Sequence, residues 1–210
     1  MRNLILTALL LFSSLPAHAY LSVMDNGEIL PYHNFKLTGY GQVLTENGGL
    51  NMATRVDAGI NEEMGLRGIF GVGKTDMFFG GMLKWMPVPD FEDQPAVGFN
   101  AGLIYAKDGE TRDTTIRIEP LISKRFNVDN SKLTPYASLP MGIRMRTSRD
   151  PNVDENTIMS WQLVVGSQLQ LPQWKKMQFI GELGVNLDNA LSHVSLGAIF
   201  YFDENGFSID

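Results

Sequence analysis

The sequence contains no cysteine, so disulfides and thiolate metal sites are excluded and the fold must be held by packing and hydrogen bonds alone. It has no basic excess: 17 Lys and Arg stand against 23 Asp and Glu, a formal charge of −6 with a pI near 5.1. That balance denies it the basic face a nucleic-acid backbone demands. Beyond residue 19 no apolar run approaches the roughly 20 residues a membrane-crossing helix needs. Nor does any later stretch carry a convincing 3.6-residue period. What is left is a mean hydropathy of −0.06, the value of a soluble protein and equally of a membrane barrel, in which only half the strand residues meet lipid.

Residues 1–19, MRNLILTALLLFSSLPAHA, hold a basic Arg2, an apolar run from Leu4 to Phe12 and a small-x-small ending, Ala17-His18-Ala19. This is the pattern of a secretory signal and predicts a mature start at Tyr20. The rest divides into an N-terminal segment (20–34), a strand-rich body (35–202) and a tail (203–210). A mature length of about 190 residues suits one domain or one closed barrel.

From Phe35 onward the pattern has period two, the mark of strands with two unlike faces. Leu50, Met52, Val56 and Ala58 share one face, and Asn51, Arg55 and Asp57 the other. Ile116, Ile118 and Ile122 oppose Arg117 and Glu119; Leu139, Ile143 and Met145 oppose Ser138, Arg144 and Arg146; Phe179, Leu183 and Val185 oppose Gln178, Glu182 and Asn186. Turn chemistry separates the runs at Glu46-Asn47-Gly48-Gly49, Lys107-Asp108-Gly109, Val128-Asp129-Asn130-Ser131 and Asp188-Asn189. The count gives an all-β chain of about ten antiparallel strands, with eight as the alternative. A long meander escapes its open edges by closing into an up-and-down barrel.

The polar face decides which way the barrel faces. It is rich in Gly, Arg, Glu, Gln and Asn and nearly free of Lys, with Lys84 the clearest exception. A solvated strand face has little use for glycine, whereas a crowded lumen needs small residues beside long side chains that must pair out of water. Arg55, Asp57, Arg67, Arg117, Glu119, Arg144, Arg146 and Glu182 are therefore the candidate lumen ion-pair set, and the apolar face meets lipid. Aromatic residues fall near two rims, Trp85, Tyr136, Trp174 and Phe202 at one and Tyr105 and Trp161 at the other, as membrane interfaces favour. Pro120 and Pro140, inside consecutive strands, mark a shared kink on the apolar face.

The ending Ser195-x-Gly197-x-x-Phe200-x-Phe202 resembles the C-terminal assembly signal of small Gram-negative outer-membrane β-barrel proteins; Asp203–Asp210 follow it. The resemblance implies a transmembrane barrel in the outer membrane, partnered by lipid and, during biogenesis, by the barrel-assembly machinery that reads the last strand. Small barrels fill their interiors with side chains, so the expected role is non-enzymatic: structural, surface-interacting or narrowly solute-conducting. The rival is a soluble exported lipocalin-like barrel, apolar inside, that binds an apolar ligand. A third reading is lipid hydrolysis, because His193-x-Ser195 with Glu204 is similar to the pair of the lipid A deacylases; the alternation, however, turns both residues toward the lumen. Asp150, Asp154 and Glu155 gather in an outward loop without a calcium-loop pattern. No phosphate loop, zinc pattern or dinucleotide fingerprint is present, so no catalytic residue, cofactor or metal is assigned.

Overall fold

The computed structural model describes residues 22–45, 48–148, 156–174, 177–203 and 206. The signal segment 1–19, the acidic residues Asp150, Asp154 and Glu155, and Glu204 lie outside the described residues. The strands are β1 (Asn34–Leu44), β2 (Leu50–Gly59), β3 (Met64–Gly73), β4 (Met77–Val88), β5 (Ala96–Asp108), β6 (Thr111–Ser123), β7 (Phe126–Val128), β8 (Ser131–Ser138), β9 (Met141–Ser148), β10 (Thr157–Gln170), β11 (Met177–Asp188) and β12 (His193–Asp203).

Every pairing between them is antiparallel, and β12 returns to β1 over eleven residue pairs, from Asn34↔Asp203 to Leu44↔His193. The sheet is closed. β8 and β9 act as one wall strand: both keep a single register against β6 (Leu121↔Ser138, Ile118↔Met141) and against β10 (Val164↔Ser138, Trp161↔Met141). Counting them once, and setting aside β7, which only extends a hairpin onto β8, gives a ten-stranded barrel.

The prolines explain the break between β8 and β9. Leu139 N–H donates to Pro120 O and Gln162 N–H to Pro140 O, at 3.2 and 3.1 Å. The reciprocal bonds of an antiparallel pair would need N–H groups that proline lacks. The two prolines do not share a face, contrary to the reading above: Pro120 is half-buried on the outer side, whereas Pro140 is buried toward the lumen, in step with Ser138 and Gly142.

Outward positions carry the apolar residues. Met52, Leu66, Leu103, Leu183 and Leu196 are 50–70% exposed, although they sit within regular strands. Inward positions carry Lys36, Arg55, Arg67, Glu119 and Glu182, each 3% exposed or less. This is the reverse of a soluble ligand-binding barrel, and it is the architecture of a barrel whose solvent is lipid. Ring pairs lie on the outer wall toward both rims. Phe35–Phe202, Trp85–Phe99 and Trp174–Phe179 sit toward the rim that carries the ends of β1 and β12 (the terminal rim), with centroids 5.0–5.5 Å apart, and Phe79–Tyr105 toward the far one at 5.2 Å. Tyr136 is not among them: it points inward and is 4% exposed.

Inward glycine has a different use from the one expected. Gly71, Gly166 and Gly184 lie directly across from Phe78, Tyr136 and His193, and a Cβ at each would come within 2.2–2.3 Å of that ring. Small residues here make room for rings on the neighbouring strand more than for long ionic chains.

Candidate functional site

The lumen is filled by more than its wall. Residues 22–28 run through it outside any strand, with a positive φ of 42° at Met24 and a bend at Gly27, from the level of Gln42 and Ser195 near the far rim to Tyr201 near the terminal rim. Ser22, Val23, Met24, Asp25 and Asn26 are all 0–1% exposed.

A buried segment outside any ladder must find partners for its backbone polar groups, and here wall side chains supply them. Glu182 accepts the N–H groups of Val23, at 2.8 Å, and Met24. Arg55 donates to the carbonyls of Ser22, at 2.7 Å, and Val23. Two opposite charges thus read two consecutive peptide units. Farther along, Ser123 Oγ accepts from Gly27 N–H at 2.8 Å, and Lys84 Nζ donates to the carbonyls of Asn26 and Glu28 at 2.6 and 2.7 Å. Val23 and Met24 pack in one apolar cluster with Met86, Leu121, Val164 and Ile199.

Asp25 is the centre of the charge arrangement. Its carboxylate lies 2.6 Å from Arg67 Nη2, 3.1 Å from Lys84 Nζ and 3.3 Å from Lys36 Nζ, and it accepts from Asn100 Nδ2 at 3.3 Å. Asp57 completes the group, 2.5 Å from Arg67 Nε and 3.5 Å from Lys36 Nζ. The cage follows from the sheet: Lys36↔Asp57↔Arg67 are successive cross-strand partners on β1, β2 and β3, and Lys84↔Asn100 are partners on β4 and β5.

The remaining sequence-derived candidates fall into two further groups. Arg117 Nε lies 2.7 Å from Glu119, which also accepts from Asn100. Arg146 holds Asp113 through two hydrogen bonds of 3.0 and 3.1 Å, with Arg144 4.0 Å away. The alternation of the sequence placed five arginines inside against three carboxylates. That imbalance was the available signal for carboxylates still to be found, and the structure adds Asp113 and Asp25. Nothing periodic marked Asp25, because its segment belongs to no strand.

His193 and Ser195 face inward but are differently engaged. His193 Nε2 lies 3.0 Å from Glu182 Oε1 and Nδ1 lies 3.1 Å from Gln162 Nε2; Ser195 Oγ lies 2.5 Å from Ser22 Oγ. An amide N–H toward Nδ1 leaves the ring proton on Nε2, directed at the carboxylate. Neither ring nitrogen is left to take a proton from a nucleophile. In the assembly-signal stretch, Ser195 is buried in the lumen, Phe202 stacks on Phe35, and Gly197 is where the Gly39 carbonyl and Tyr40 come close.

At the terminal rim the segment leaves a cavity of about 240 Å³, lined by Glu28, Arg125, Lys132, Gln168, Gln178 and Tyr201 among others. Tyr201 OH donates to Glu28 at 2.7 Å there. Among the described residues no group of His, Asp or Glu is arranged to hold a metal ion.

No protein family model matches the sequence, and no curated protein sequence does. Solved structures do match. A de novo designed transmembrane β-barrel has a TM-score of 0.40 at 11% identity, covering 83% of this chain and 99% of its own. The N-terminal β-barrel domain of Pseudomonas aeruginosa OprF gives 0.36 at 9%, covering 82% and 100%. Yersinia pestis Ail, the attachment invasion locus protein, gives 0.35 at 10%, covering 82% and 100%. The likeness is to the wall and carries no site with it.

Proposed function

We propose that the chain is an integral outer-membrane β-barrel, non-enzymatic, whose narrow solute path is closed at rest by its own residues 22–28. The observation that carries this reading is the inside-out wall: leucine, isoleucine and valine outward, buried ion pairs inward. Arginine and glutamate hidden from water beside leucines presented to the surroundings make sense only where the surroundings are hydrocarbon. The partners are then outer-membrane lipid and, during folding, an assembly machinery that reads Ser195, Gly197, Phe200 and Phe202 on the closing strand.

Conduction is favoured over surface interaction by the short far-rim connections, the eight residues between β9 and β10 apart: β5 and β6 are joined by two residues and β3 and β4 by three. Such connections offer little surface to a partner. A soluble carrier of apolar ligands would need the opposite wall. For lipid hydrolysis, Ser195 would need a free base, and His193 is committed to Glu182 and Gln162.

Fractionation with outer membranes, together with a gel mobility that changes on boiling, tests the reading. Recovery of the protein from the periplasm without detergent would overturn it.

A further inference from the structure

The charge inside the barrel is opposite in sign to that of the chain. The sequence as a whole has six more acidic than basic residues. Among the described residues buried in the lumen, seven Lys and Arg stand against four carboxylates of the wall and the single one of Asp25. Counted over the described wall residues, that is three positive charges in excess. The wall cations, paired and unpaired together, span its length, from Lys36 and Lys84 toward the terminal rim, through Arg55 and Arg117, to Arg144 and Arg146 on the far stretch of β9. The imbalance shows at one place: Lys36, Arg67 and Lys84 crowd together and Asp57 answers them from the wall. Buried charges of one sign are unfavourable without counter-charge, so that stretch of the lumen is built to contain an anion.

The most concentrated site is the one Asp25 occupies. Three cations and an amide N–H converge on one carboxylate, and that carboxylate belongs to a strand-free segment, not to the wall. Its neighbours treat it as a guest. Glu182 and Arg55 hold its backbone through peptide groups that any sequence possesses, the Ser22 and Asn26 side chains meet the neutral groups of Ser195, Gln42 and Gln168, and Asp25 is the fully buried charged side chain the segment brings.

We infer that the barrel is an anion-selective conduit, and that the N-terminal segment is a tethered stand-in for the conducted anion, with the Asp25 carboxylate at the selecting site. This rests on the membrane-barrel reading and names its solute class: small carboxylates and inorganic anions. Removing this single chain segment from the lumen frees a narrow path where its backbone and side chains ran. Rings of Lys and Arg lining such a path favour anions.

The chain has no cysteine, and Ser22 Oγ touches Ser195 Oγ, so the segment can be locked. The full chain carrying Ser22→Cys, Ser195→Cys and Asp25→Ala is placed in planar bilayers in a potassium chloride gradient. Asp25→Lys, which puts a fourth cation in the cage, serves as a second variant where alanine lets the segment stay. The expected result is loss of current under oxidant, return of current under reductant, and a reversal potential on the chloride side. Insertion is read separately, from heat-modifiable mobility of the same sample. Inserted protein with current that ignores the redox state, with potassium preferred over chloride, or with both variants silent when reduced, overturns the inference and leaves the barrel reading standing. Failure of the wild type to insert strikes the barrel reading instead.

Discussion

Glu182 Oε1 lies 3.0 Å from His193 Nε2, while the same carboxylate accepts a 2.8 Å hydrogen bond from Tyr136 OH and two from the backbone of the lumen segment. Strands β8, β11 and β12 and the N-terminal segment therefore meet at one side chain. Breaking a buried network by removing its charged member costs about 3–5 kcal/mol. Glu182→Ala is expected to lower the urea midpoint of detergent-folded protein by that order, and Glu182→Gln by clearly less, because an amide still accepts at one oxygen. Equal losses would mean that the charge at this point is not what matters.

Tyr136 reaches Glu182 across Gly166, where a Cβ would lie 2.3 Å from the ring. Gly166→Ala is expected to cost about 1–3 kcal/mol, the usual range for overpacking, and to displace the phenol from the carboxylate. Denaturation together with Tyr136→Phe checks this: the two changes should be less than additive, since each removes the same hydrogen bond.

The loop after β4 is clipped to the β6–β7 corner. Asp90 accepts from Lys124 Nζ and from Arg125 N–H, each at 2.7 Å. Partial burial would raise this carboxyl, but the hydrogen bonds and charges of Lys124 and Arg125 outweigh it and hold it below the usual carboxylate range. A depressed value in the folded state means that the clip contributes fully above the ordinary carboxylate range and is lost as pH falls through the lowered value. Limited proteolysis at residues 89–95 is expected to accelerate only in that acidic window, and Asp90→Asn should show the fast rate already at neutral pH. A pH-independent rate in the wild type would contradict the clip.

Much of the wall was legible because lipid on one side and a packed lumen on the other impose a strict two-residue period. Arg144 and Arg146 alternate with Ile143 and Met145, and the structure buries the first pair and exposes the second. Turn chemistry was legible too: Gly109, Asp129 and Asn189 take the positive φ values, 59°, 52° and 48°, that close their hairpins. The lumen segment was not legible. Residues 22–28 make no ladder, so no period marks them, and their partners on the wall lie anywhere from 11 to 173 positions away in the chain. Inward apolar residues such as Ile69, Phe78 and Val164 were also obscured, because an apolar residue on a polar face reads as a gap in the alternation.

At the outer wall, Leu163 is 42% exposed next to the buried Gln162. An arginine on the lipid face near mid-membrane costs about 2–4 kcal/mol. Leu163→Arg is therefore expected to lower the yield of heat-modifiable barrel in liposomes sharply. On a water-exposed wall the same change would stay within about ±0.5 kcal/mol.

The same position gives the most direct measurement. With no native cysteine to compete, Leu163→Cys can carry a single fluorophore in the reconstituted protein, exposed in turn to a quencher borne on lipid tails and to aqueous iodide. Strong quenching by the lipid-borne group with iodide nearly silent is the predicted result; strong iodide quenching with an inert lipid quencher would contradict the inside-out wall from which the rest is derived.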